Sequence, residues 1–394
     1  MERKHLIFIL FILWPVTLLN AQSDANAPTL QDIYAELKAI HALLEQQEVK
    51  INRLWRVVQP YLAELETNAD KEEKQQKEDE ALKMQEVLRR TNILFTSKML
   101  FIPRSHTVML VYSDNTIRFV DVDTAEEVSK PVHLQGVKCL AAAADGATLF
   151  AGTEKGFVYT WKNGSEECTK IADTNGWSVD SLAVSPDGAW LAWATNGGYR
   201  ANSKWTEPNE SCCVINLNNN EKTFGFSAGR VDFQGVSFSP DSQVLALVKN
   251  SCVDLVDMNS GAVIRSLETE KYKCGPLSVA YGPSDNVVVI GYAPYNVGLW
   301  NAKTGIMTKL LEAHHNWVVS LFVSSDGTRF VSSAGDSTAS VWDIKSGTEI
   351  GRLRFGEGAS YVRSVSISSD GQLLAIGRNG EWVICRMPPV KSAQ

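Results

Sequence analysis

The chain has 394 residues, 38 of them Lys or Arg against 45 Asp or Glu, for a formal net charge of −7. The chain is acidic overall and its dense charge run, Asp70–Glu80, mixes both signs, so nucleic acid is not an expected partner. The six His show no metal-ligand spacing, and neither a Gly-x-Ser-x-Gly elbow nor a phosphate-binding Gly loop occurs, so no metal, cofactor or catalytic residue is expected.

In chain order, Arg3 and Lys4 precede the apolar run Leu6–Leu19. That run is shorter than the roughly 20 residues a bilayer span needs, and a basic start before a short apolar stretch is the pattern of a secretory signal. Residues 1–21 are read as that signal, with Leu19-Asn20-Ala21 before Gln22 as the cleavage site and Ala25-Asn26-Ala27 as the alternative. An exported protein, periplasmic or extracellular, is expected; an uncleaved signal would leave it anchored to a membrane.

A heptad pattern follows over residues 29–66. Leu30, Leu37, Leu44, Ile51, Val58 and Leu65 lie seven apart, and Ile33, Ile40, Gln47, Leu54, Tyr61 and Asn68 lie three after each. This predicts an α-helical coiled coil, in which Leu at one core position and Ile at the other favour trimers or tetramers. Gln47 sets one polar layer, and Pro60 kinks or breaks the helix. The alternative is an amphipathic helix packed on the rest of a monomer. Residues 67–90 lose the apolar seam and read as a charged helical spacer.

From residue 91 to 388 the pattern becomes short apolar runs bounded by turn residues. The clearest stretch is His314–Arg354, whose runs are separated by Ser325-Asp326-Gly327, Gly335-Asp336 and Asp343–Gly347. Such runs predict a four-stranded antiparallel meander. The acid of its first turn recurs at Asp145, Asp187, Asp241, Asp285, Asp326 and Asp370, in steps of 42, 54, 44, 41 and 44 residues. With a worn copy ahead of these, ending at Val120-Asp121, about seven units are expected at a blade-like period. The last unit has three strands, Val362–Ser368, Leu373–Arg378 and Trp382–Met387, so residues around 91–97 are expected to supply its outer strand and close the ring. Residues 389–394 are a C-terminal tail.

Trp342-Asp343, Ser185-Pro186-Asp187-Gly188, and His314 ahead of Val318 resemble the WD-repeat β-propeller family. The resemblance implies an all-β, seven-bladed propeller of four-stranded antiparallel blades. It also implies that His314, Asp336, Trp342 and Ser332 (or Ser333) form a hydrogen-bonded chain within one blade, a structural rather than catalytic device. In such propellers the loops leading into the blades commonly bind partners. The positions here are Trp177, Arg230, Tyr272, Trp317, Tyr361 and Arg363. To these is added the long third-unit loop, Gly197–Glu210, with Arg200 and Trp205; the alternative for its aromatics is packing on Trp190 and Trp193.

The seven Cys, all in the repeat region, leave at least one unpaired within the chain and are read mainly as small buried hydrophobes. The expected function is an exported, non-enzymatic scaffold. Its propeller docks a protein or peptide, and its coiled coil makes a homo-oligomer. The alternative is an exported propeller enzyme or small-ligand binder, lactonase-like or quinone-dependent, using the central channel.

Overall fold

The computed structural model describes residues 30–45, 63, 67, 84–195, 212–219, 221–226, 235–249, 251–268, 275–282, 287–293, 295–355 and 361–388. The chain divides after Ala81 into two units. In the first, Leu30–Glu45 is helix α1, with Asp32 complementing the dipole in its first turn. The Thr67 hydroxyl donates to the Ala63 carbonyl at 2.7 Å, four residues back. The other heptads, the export signal and the C-terminal tail lie outside the described residues. No described helix is long and apolar enough to cross a membrane.

The second unit is a seven-bladed propeller of four-stranded antiparallel blades. The first blade takes the end of β1 (Glu86–Phe101), then β2 (Thr107–Tyr112), β3 (Thr116–Asp121) and β4 (Val132–His133). The second is β5 (Val137–Ala142), β6 (Thr148–Thr153), β7 (Phe157–Lys162) and β8 (Thr169–Asp173). The third is β9 (Val179–Val184), β10 (Trp190–Thr195), β11 (Cys212–Asn216) and β12 (Glu221–Phe226). The fourth is β13 (Val236–Phe238), β14 (Val244–Val248), β15 (Cys252–Asp257) and β16 (Val263–Glu268). The fifth is β17 (Gly275–Tyr281), β18 (Val287–Ala293), β19 (Asn296–Asn301) and β20 (Ile306–Glu312). The sixth is β21 (Val318–Val323), β22 (Arg329–Ala334), β23 (Thr338–Asp343) and β24 (Glu349–Arg354). The seventh has β25 (Val362–Ile367), then β26 (Leu373–Arg386), which bends through Gly380 to serve as two strands.

Burial grades outward. The second strands are covered on both faces, as in β22, while outer strands such as β16 and β20 face solvent. A strand covered on both faces reads as a continuous apolar run, which explains Val287–Tyr292 and Val244–Val248. The core is therefore layered between blades. Seven apolar clusters among the described residues occupy the seven junctions between consecutive blades. An open array of seven sheets would have six.

The turns follow from side-chain chemistry. Asp187, Asp241, Asp326 and Asp370 each accept the backbone N–H two residues on, at 3.0–3.1 Å. Each also accepts the hydroxyl of the Ser two residues before it, at 2.5 Å. Asp145 caps its turn the same way without the Ser; Asp285 lies outside the described residues. Between third and fourth strands, Gly261, Gly305 and Gly347 adopt positive φ, while Ala125 does so at 61° in the worn first blade.

Closure departs from the expected register. The outer strand of the last blade begins earlier than expected: Glu86–Thr91 pairs with Glu381–Cys385, and within the expected 91–97 stretch Thr91 and Thr96 pair with β26, Thr96 opposite Asn379. After a break between Thr91 and Thr96, β1 continues through Phe95 and Met99–Phe101 against β2 as the inner strand of the first blade. Residues 86–90, expected as the end of a helical spacer, are strand. Glu86 and Arg89 have helical-pair spacing and do bond, but along β1, where the Arg89 guanidinium also meets Glu381 and lies 5.6 Å from the Phe355 ring centre.

Five inner strands begin with the same irregularity. One unpaired residue is inserted after the first pair, or after the second in β17: Lys138 in β5, Asp180 in β9, Leu277 in β17, Val319 in β21 and Arg363 in β25. Bulges of this kind re-aim a side chain at the rim of a sheet.

Candidate functional site

The loops between blades and the turns between second and third strands share one face, the upper face. His314, in the β20–β21 loop, connects them. Its Nε2 lies 2.7 Å from Ser332 Oγ, and its Nδ1 lies 2.9 Å from Thr338 Oγ1 and 3.2 Å from Asp336 Oδ2. The Trp342 indole donates to Ser332 Oγ at 2.9 Å. One assignment satisfies the chain: indole N–H to serine, serine O–H to Nε2, and Nδ1–H toward Asp336. Asp336 also accepts the His315 backbone N–H at 2.8 Å and the Thr338 hydroxyl at 2.6 Å. Burial alone would raise the Asp336 pKa, but the bonds with His314 and Thr338 outweigh it and hold the carboxyl well below the usual range. Trp342 stacks on Phe330 with ring centres 5.9 Å apart. The structure brings His314, Ser332, Asp336 and Trp342 together, with Thr338 as a fifth member that sequence reasoning missed. Their polar atoms bond to one another, and the network ties the β20–β21 loop to β22 and β23 of the blade.

Other blades answer the same need differently. Trp300 donates to the hydroxyl of Tyr292 at 2.7 Å, whereas the buried indole N–H of Trp161 has no hydrogen-bond partner among the described residues. Ala151 stands where Ser332 would serve Trp161, two residues past the strand partner of the Trp.

Above the network lies an aromatic patch. Trp317 is 52% exposed. Its backbone N–H is held by Asn316 Oδ1 at 2.8 Å, and the Asn316 amide reaches the Gly335 carbonyl at 3.4 Å. Tyr361, half-buried, lies against Gly335, where a Cβ would come within 2.2 Å of its ring. The exposed Arg363 guanidinium lies 5.3 Å from the Tyr361 ring centre. Tyr295, also exposed, accepts the His314 backbone N–H through its carbonyl at 3.1 Å. The structure therefore gathers Trp317, Tyr361 and Arg363 on the upper face. Trp177 sits at the corresponding loop of its own blade but is only 6% exposed, which makes its ring packing for the blade. Arg200, Trp205, Arg230 and Tyr272 lie outside the described residues. Among the described residues no three His, Cys, Asp or Glu are grouped to hold a metal ion.

Residues 305–343 match the WD domain, G-beta repeat. The match holds all four members of the expected network. Short stretches of the chain also match known proteins. The chain is 30% identical to guanine nucleotide-binding protein subunit beta-5b of Danio rerio over 88 residues, 22% of each chain. It is 31% identical to SIR4-interacting protein SIF2 of Saccharomyces cerevisiae over 106 residues, 27% of this chain and 19% of that one. It is 36% identical to nuclear distribution protein PAC1 of Arthroderma benhamiae over 70 residues, 18% of this chain and 15% of that one. The chain spans less than a quarter of the length of each of these relatives.

Proposed function

We propose that the propeller is a non-enzymatic docking scaffold whose upper face binds a protein or peptide, that it is exported, and that its heptad segment self-associates. The observation that carries the docking reading is Trp317. A large aromatic is held out to solvent on a rigid blade, beside a Tyr and an Arg, the residue types enriched at binding hot spots. Two of the matched relatives are named for association with other proteins, one as a subunit and one as an interacting protein, which supports the same reading. Self-association would present several copies of the face and add avidity toward a repetitive target.

Three measurements test the parts separately. Cross-linking and capture from the exported fraction, wild type against Trp317→Ala, addresses docking; equal recovery of every bound species counts against the face. The light-scattering mass of the mature protein addresses self-association, and a monomer mass removes it. N-terminal sequencing addresses export, and a cytosolic protein starting at Met1 removes it.

A further inference from the structure

Arg363 is the bulge residue at the start of β25, and the Ser364 hydroxyl that follows it bonds both the N–H and the C=O of Met99, at 3.2 and 2.9 Å. This pins Lys98, immediately before Met99, beside Arg363 across the seam between the last and first blades. In the next blade Lys138 is the bulge residue of β5, and both cations lie within electrostatic reach of Lys98. All three stand at the upper ends of inner strands, where the central channel opens. The acid in the cluster, Asp180, is engaged already: Lys138 Nζ is 4.0 Å away and the Ser178 hydroxyl donates to it at 2.7 Å. Among the described residues Lys98 is half-buried and has no hydrogen-bond or ion-pair partner. Burial, and the like charges of Lys138 and Arg363, hold its ammonium below the usual lysine range. The cluster sets Lys98, Lys138 and Arg363 against Asp180 at the channel mouth, on a chain that is acidic overall.

The cluster is continuous with the aromatic patch. Arg363 stacks on Tyr361, Tyr361 lies on Gly335, and Asn316 joins Gly335 to Trp317. The stripe therefore runs from an apolar end over the sixth blade to a basic end over the first and second.

We propose that this stripe binds an extended acidic peptide, whose carboxylates meet Arg363, Lys98 and Lys138 and whose apolar residue seats on Trp317 and Tyr361. A compact anion would use the basic end alone; a segment carrying both features uses the whole stripe, and charge complementarity selects acidic over basic sequences. The proposal rests on the docking reading above.

The test is selection of a displayed library of random linear peptides on the full-length mature protein, followed by titration of the enriched peptides. Enriched sequences should be rich in Asp and Glu around an apolar residue. Replacing their acids by amides should weaken binding about tenfold for each charge-assisted hydrogen bond removed. Lys138→Gln and Arg363→Gln should weaken the acidic peptide but not its amide form, and Trp317→Ala should weaken both. The two Gln variants change exposed groups, and an unchanged thermal midpoint separates weakened binding from a damaged fold. Neutral or basic peptides that depend on Trp317 would overturn the acidic assignment and leave the docking face standing. Peptides indifferent to Trp317 and Arg363, or no enrichment at all, would overturn both.

Discussion

Ser332 and Ser333 are neighbours on β22, both fully buried, and the structure assigns them opposite energetic roles. Ser332 Oγ is the hub between the Trp342 indole and His314 Nε2, whereas Ser333 Oγ has no hydrogen-bond partner among the described residues. In Ser332→Ala two buried groups lose their partner at once. Each such group costs about 1–3 kcal/mol, so a loss of roughly 2–4 kcal/mol is expected, with some relaxation of the His ring included. Ser333→Ala removes an orphaned hydroxyl that was desolvated without compensation, so the change should lie between zero and a gain of about 1 kcal/mol. Urea denaturation of the two variants and wild type measures the difference, read as a shift in midpoint at constant slope. Equal midpoints, or a worse Ser333→Ala, would refute the claim that the hydrogen-bonded chain holds the blade.

Four further outcomes are expected. Trp161→Phe should be neutral or slightly stabilising because its indole N–H is unpartnered, while Trp300→Phe should cost about 1–2 kcal/mol by removing the donor to Tyr292; thermal midpoints of the pair decide it. Hydrogen bonds to Asp123 and Asp370 raise the pKa of His106, so its contribution to stability is complete below the unfolded value of about 6.5 and fades as pH rises through the folded value. The midpoint gap between wild type and His106→Gln should therefore shrink with increasing pH, and a constant gap would show that the imidazole does not bridge the first and last blades. Gly335→Ala should push the Tyr361 ring aside and weaken upper-face binding with little loss of stability, measured by peptide titration beside a melt. A chain starting at Leu82 should fold as a soluble unit, whereas one starting at Asn92 should aggregate through the exposed edge of β26; equal solubility would mean that Glu86–Thr91 is dispensable for closure.

The blades were legible because hairpin chemistry is local. Asp187 or Asp343 caps its turn wherever the strands go, and Trp342-Asp343 with His314 marks one unit plainly. What the residues hid is non-local. Nothing in the run Thr91–Thr96 signals that one strand leaves a sheet and joins another, since the junction has neither Gly nor Pro. Trp177 and Trp317 precede equivalent strands, yet only neighbouring blades decide that one ring is enclosed and the other exposed. Thr338 and Tyr292 joined their networks through register. Lys98 and Lys138 were invisible as a pair because a bulge and a blade junction, neither encoded in spacing, set them beside Arg363.

Arg89 and Glu381, joined across the seam, are separated by 292 residues. The entropy of bringing chain ends together grows only as about (3/2)RT ln n, so this distance is thermodynamically cheap. It is costly in time, because nearly the whole polypeptide must exist before Glu86–Thr91 can find β26. Until then Arg363 and Lys98 stand at opposite ends of an unfinished arc. A ligand that must touch both engages only molecules synthesised to the last strand, so its binding reports completion of the circle as well as recognition.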